Sequence, residues 1–215
     1  MQQFLSFTPI PTVLGLLSSS RSSDEIRSKA LYCLSASLNH NRAAAECFEK
    51  AQGWSVLTGA LSGEMFMEVV KTVAYRAELD SSIVVRRKAA FLLNTLLLPN
   101  SFTSDSTSEA PSPYVAKLTS TSELAQAAMR KENVLGTVIE SLGSPEPRGA
   151  DGDQVDLDMD YAEKALRIVL TFLDNGGTLL EEEKGTLKEV LKDEGKREDW
   201  GLSRGEWDTL KRIIS

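Results

Sequence analysis

Histidine occurs once in these 215 residues and cysteine twice, so the side chains that most often hold metals or act as nucleophiles are nearly absent. His40 stands between Asn39 and Asn41 at the end of a helical pattern, where a donor near the last carbonyls is the ordinary role. No serine or cysteine sits at a recognisable nucleophile spacing. Cys33 and Cys47 fall inside helical patterns with no paired thiol-ligand motif, and are expected as buried small hydrophobes in a reducing compartment. A Gly-rich phosphate loop and a dinucleotide fingerprint are missing as well. An enzyme is the least supported class, and no catalytic residue, cofactor or metal is expected.

Long apolar runs are lacking too: no stretch reaches the roughly 18 consecutive apolar residues of a membrane span. The opening Met1 to Pro11 has neither the basic region nor the sustained apolar run of a secretory signal, which makes the cytosol the expected location. Basic charge is in deficit, with a formal net charge of -7, and this argues against nucleic-acid or anionic-membrane partners while leaving room for a local basic patch. The acidic stretch from Asp151 begins like a calcium loop but has Val155, Asp156 and Ala162 at its fifth, sixth and twelfth positions, where a ligand, a glycine and a glutamate belong. A solvated linker accounts for it.

What the chain does have is 41% hydrophobic and 26% charged residues, enough to build a core without disulfides. It also repeats itself. Residues 26 to 41 are echoed by residues 85 to 100, and a fainter copy begins at Tyr161. Without gaps, Ile26, Ala30, Leu31, Leu34 and Leu38 align with Val85, Ala89, Ala90, Leu93 and Leu97, and then with Tyr161, Ala165, Leu166, Val169 and Leu173. This spacing predicts one buried stripe on each of three helices. A second stripe carries Lys29, Lys88 and Lys164, followed three residues on by Tyr32, Phe91 and Arg167. One supersecondary unit used several times predicts a stacked all-α solenoid, read as one domain over residues 1–215.

The local grammar is a short helix, a turn, a second short helix and a long helix. Residues 42–51 form a helix stopped by Gly53, a short helix follows through Trp54, Leu57 and Leu61, and Asp24 serves as N-cap of the first long helix. Later, a helix over residues 121–131 is stopped by Asn133 in the role of Gly53, Val134 to Leu142 form its successor, and the long helix runs from about Met159 to Asp174. Before the first long helix, Pro11 to Leu17 is a short apolar helix. An acidic helix through Leu187 and a last helix holding Trp207 close the far end. Segments 62–82, 99–120 and 144–158 interrupt the pattern, and the first of them stretches the step from Ile26 to Val85 to 59 residues, against about 40 to 47 in common two- and three-helix repeats.

This helix, turn, helix, long-helix unit, with Ala-Leu-aromatic in the third helix, resembles the armadillo pattern, in which the long helix lines the concave face. Importin-type members would show Trp-x-x-x-Asn there. Here those positions hold Tyr32, Phe91 and Arg167, then Ala36, Thr95 and Thr171, which turns the reading away from import receptors. Ile26 to Ser35, then Phe48 to Gly53, then Arg87 to Asn94, look like the armadillo core of the fungal Fes-type nucleotide exchange factors and their animal counterpart. That resemblance implies a cytosolic co-chaperone whose concave face embraces one lobe of the ATPase domain of a DnaK-type heat-shock chaperone, so that ADP leaves and ATP rebinds. A monomer without nucleic-acid or membrane partners is expected. The resemblance also implies a contact surface of Lys88, Arg87, Phe91, Asn94, Lys29, Tyr32, Lys164 and Arg167, with Lys88 foremost. Members of the family carry further helices before the first unit seen here, so this chain is expected to begin partway into the domain. A generic armadillo scaffold for another partner is the alternative, and a lumenal exchange factor of the endoplasmic reticulum is disfavoured by the missing signal.

Overall fold

The computed structural model describes residues 9–62, 83–99, 120–143 and 158–214. In chain order the helices are α1 (Pro9–Ser18), α2 (Asp24–Leu38), α3 (Arg42–Lys50), α4 (Gly53–Ser62), α5 (Ile83–Leu97), α6 (Ser122–Lys131), α7 (Val134–Gly143), α8 (Met159–Asp174), α9 (Glu181–Val190), α10 (Lys196–Asp199) and α11 (Arg204–Ile213). The described residues are all helix and connecting turn, without a strand. Of the three segments expected to interrupt the pattern, residues 63–82, 100–119 and 144–157 lie outside the described residues, whereas Ser62 ends α4 and Asp158 caps α8.

The helices stack in columns. The long helices α2, α5 and α8 pack side by side in that order, and α1, α4, α7 and α9 form a second row behind them. Helices α3 and α6 touch each other at the outer edge, each packed on the short helix that follows it. The repeat read from the sequence is therefore the unit α3, α4, α5, used again as α6, α7, α8. The fold is an all-α solenoid.

Most of the buried stripe falls where the spacing placed it, with Leu173 only half-buried against the core. Leu31, Leu34, Leu38, Ala89, Ala90, Leu93, Leu97, Tyr161, Ala165, Leu166 and Val169 are all buried between the two rows. Each leucine removed from water there contributes about 1.5 to 3 kcal/mol. Ile26 departs from the pattern and is 42% exposed, whereas its counterparts Val85 and Tyr161 are covered. The difference is positional: α5 and α8 each have a long helix on the preceding side, and among the described residues α2 has none. Cys33 corrects the expectation of burial for the same reason. It is exposed, although its register partners Leu92 and Ile168 are buried, and Cys47 is half-buried against the core.

Two local expectations also need correction. The N-cap of α2 is Ser23, whose side chain accepts from the Ile26 amide, and Asp24 instead joins the first turn, where its charge favours the helix dipole. The turn between α3 and α4 takes its left-handed residue at Gln52 (φ 57°), the counterpart of Asn133 (φ 51°), and not at Gly53. Gly53 opens α4 and is needed for space: a Cβ there would stand 2.4 Å from the Phe48 ring. That close approach lets Phe48 meet Trp54 edge to face with ring centroids 5.3 Å apart. At the far end, Gly176 (φ 83°) follows the last turn of α8 in the left-handed region, and α9 and α11 bury Leu187, Val190, Trp207 and Leu210.

Candidate partner-binding surface

The nominated residues Lys29 and Tyr32 lie on α2, Arg87, Lys88, Phe91 and Asn94 on α5, and Lys164 and Arg167 on α8. Because these three helices are consecutive neighbours, the fold brings all eight onto one row of helices, with equivalent positions in register. The side chains divide into two groups by what they touch.

One group faces solvent. Tyr32 is 73% exposed and Phe91 57% exposed, in equivalent positions on neighbouring helices. Large aromatic surface left in water on adjacent helices is costly unless a partner covers it. Lys29 lies one turn before Tyr32 and pairs with Glu25 at 2.7 Å, an exposed i,i+4 pair that holds the Glu25 carboxyl below its ordinary value, chiefly through the hydrogen bond from Lys29. Lys164 is half-buried and donates to the Asp160 carbonyl at 3.2 Å.

The other group forms the seams between helices. Lys88 reaches back to α2, its ammonium donating to the Ser28 hydroxyl. Arg87 reaches forward to the start of α8: Nε lies 3.0 and 2.9 Å from the two Asp158 oxygens, Nη2 lies 2.6 Å from Oδ1, and Nη1 lies 2.8 Å from Asp160. The hydrogen bonds to Asp158 are the main reason that the guanidinium holds its proton even more tightly than usual. Asn94 accepts from the Thr171 hydroxyl at 2.8 Å, and Asn175 donates to the Leu97 carbonyl at 2.7 Å, so α5 and α8 are joined at that end as well. Arg167 binds Glu163 on its own helix and Glu206 of α11, both at 2.9 Å.

The sequence reading named the cations and missed their partners. Asp158, Asp160, Ser28 and Glu206 were not singled out, and Thr171 entered only at an asparagine position of the Trp-x-x-x-Asn pattern. One signal was present: Asp158 immediately precedes the helix expected from Met159 and so occupies the N-cap position, where its Oδ1 accepts from the Tyr161 amide at 3.3 Å. Behind the row, Arg86 is buried with its guanidinium 4.4 Å from the centre of the Tyr161 ring and its Nε donating to the Leu61 carbonyl at 3.0 Å. It therefore ties α4, α5 and α8 together.

The three long helices of this all-α solenoid carry exposed Tyr32 and Phe91, and three lysines, at equivalent positions, backed by a second helical row. The chain is 33% identical over 203 residues to the Hsp70 nucleotide exchange factor FES1 of Mycosarcoma maydis, a match that covers 78% of this chain and 47% of that protein. On that alignment the chain is similar to a Fes1 exchange factor over most of its own length, and it spans about half the length of the curated relative it matches. No family model matches the chain, and no solved structure matches it. Among the described residues, no helix is long and apolar enough to cross a membrane.

Proposed function

We propose that this chain is a co-chaperone that binds the ATPase domain of a cytosolic DnaK-type heat-shock chaperone and promotes release of ADP. The observation that carries this reading is the similarity to a protein named as an Hsp70 nucleotide exchange factor, spread over most of this chain. The surface is of a suitable kind: exposed Tyr32 and Phe91 offer aromatic anchors, and Lys29, Lys88 and Lys164 surround them with positive charge on a chain that is acidic overall. On this reading the helical units are armadillo repeats, and a monomer engages one chaperone molecule without nucleic acid or membrane.

The mechanism needs no chemistry from this chain and no nucleotide site. A ligand shifts a conformational equilibrium by its difference in affinity for the two states. A solenoid face that fits the open, nucleotide-released lobe better than the closed one lowers the cost of opening, and a preference of about 5.5 kcal/mol would carry the equilibrium from 1:99 to 99:1. ADP then leaves from a cleft that this protein never touches.

The test is release of fluorescently labelled ADP from a purified cytosolic DnaK-type chaperone with this chain added. Acceleration over the basal rate is expected, together with a complex on gel filtration. Basal release without a complex would sink the reading, and a complex without acceleration would reduce it to a scaffold. Within the surface, Phe91→Ala and Lys88→Glu are each expected to weaken the complex by about tenfold or more, as hot-spot losses do. Parent-like binding by both variants would move the contact surface elsewhere.

A further inference from the structure

Arg87 is turned toward α8, because all three nitrogens of its guanidinium already meet carboxylates there. A guanidinium has five N–H donors in a planar fork. Here that fork straddles Asp158 through Nε and Nη2 and reaches Asp160 through Nη1. The receiving carboxylate has two tasks, because Asp158 also caps α8 by accepting from the Tyr161 amide. The cap of one long helix and the ionic seam to its neighbour are thus the same group. The side chain of Asp158 is only 4% exposed, which leaves it no surface for a partner to touch.

We propose that Arg87 and Asp158 together form a positioning device for the partner-binding face: the pair fixes the start of α8 against α5. It thereby sets the spacing at which Phe91 of α5 and Lys164 of α8 are offered to the chaperone. The Asn94 to Thr171 and Asn175 to Leu97 hydrogen bonds hold the other end of the same seam, so α8 is pinned near both ends. Removing the guanidinium strands a buried carboxylate beside a second acid, Asp160. A stranded buried charge is relieved by movement of the element that carries it, and that element is the N-terminus of α8. The effect on binding is therefore exerted through geometry. This inference rests on the functional reading above.

The test is a rescue experiment with the full chain, by Arg87→Gln, alone and combined with Asp158→Asn. Arg87→Gln is expected to weaken binding to the chaperone ATPase domain about tenfold, in the range of long-range coupling through a packed seam. The double variant should return to within about threefold of the parent, because asparagine still caps a helix and no buried charge is left unpaired. A double variant as weak as the single would show that the guanidinium contacts the partner directly, and would overturn the proposal.

Amide hydrogen exchange on the free protein supplies a readout independent of any chaperone. Exchange from Ala162 to Leu166 should quicken in Arg87→Gln and slow again in the double variant, with Leu31 to Leu34 of α2 unchanged. Unaltered exchange in α8 would equally overturn the proposal. A parent chain that binds no chaperone would instead fail the functional reading, and the exchange data would still decide whether Arg87 orients α8.

Discussion

The two seams between the long helices are built differently. The α2–α5 seam has a core of leucines and a lysine-to-serine hydrogen bond from Lys88 to Ser28. The α5–α8 seam has the same kind of core and adds a forked arginine pair at one end, a hydroxyl-to-amide hydrogen bond from Thr171 to Asn94 near the other, and the Arg86 guanidinium over Tyr161 behind it. Equivalent positions in a repeat have thus been given unequal work. Apolar burial accounts for the stacking in both places, whereas polar bonds with defined directions set how one helix is turned against the next. The better-tied seam fixes the presentation of α8, and the plainer one leaves α2 held mainly by its buried face.

The largest expected effect strikes what the seams share. Leu93 is fully buried in α5, and Leu93→Ala removes packing on the helix common to both seams; a loss of about 3 kcal/mol in urea unfolding is expected. A cost below about 1 kcal/mol would mean that the core can collapse around the cavity, and that burial is not what holds the rows together. Arg87→Ala comes next, at about 2 kcal/mol, because a buried carboxylate loses its partner while the arginine's own partial exposure moderates the cost. Lys88→Met should cost about 1 kcal/mol, since the buried Ser28 hydroxyl loses one hydrogen-bond partner while the aliphatic stem is replaced. Reversal of the last two in an unfolding series would invert the comparison and make α2–α5 the directed seam.

Much of this arrangement was legible in the sequence, for reasons that can be given residue by residue. The stripe from Leu31 to Leu38 and its two copies could be read because helical spacing and burial are local consequences of one chain segment. Ile26 and Cys33 misled because their exposure depends on which helix lies alongside, a fact of stacking order that spacing does not encode. Gly53 was visible as punctuation, yet its purpose was contact with the Phe48 ring, and φ is left-handed one residue earlier. Arg87 could be nominated, but its partner lies 71 positions away in the sequence, so charge type alone could not separate a seam from a contact. The exposed pair, Tyr32 and Phe91, was found by alignment of the copies because exposure recurs at equivalent positions.

A third seam, between α8 and α11, tests whether an ionic bond near the surface contributes as the Arg87 pair does. Glu206 accepts from Arg167 at 2.9 Å and closes a capping box with Ser203, whose amide donates to it at 2.8 Å. The Ser203 hydroxyl and amide, and then the Arg167 charge, hold the Glu206 carboxyl below its ordinary value of 4.5. Its folded pKa is the lower one, so its contribution to stability is fully present above the unfolded value. That contribution fades as pH falls from near 4.5 through the folded pKa and is gone below it. Glu206→Gln keeps a side chain that can complete the box but removes the charge, and at pH 7 it should cost under about 1 kcal/mol, as half-exposed pairs do. The urea midpoints of parent and variant should differ at pH 7 and converge as the pH falls through the folded pKa of Glu206, below which the parent glutamate is itself neutral. A difference that persists unchanged in acid would assign the cost of Glu206→Gln to packing, and would leave α5–α8 as the seam whose charge orients a helix.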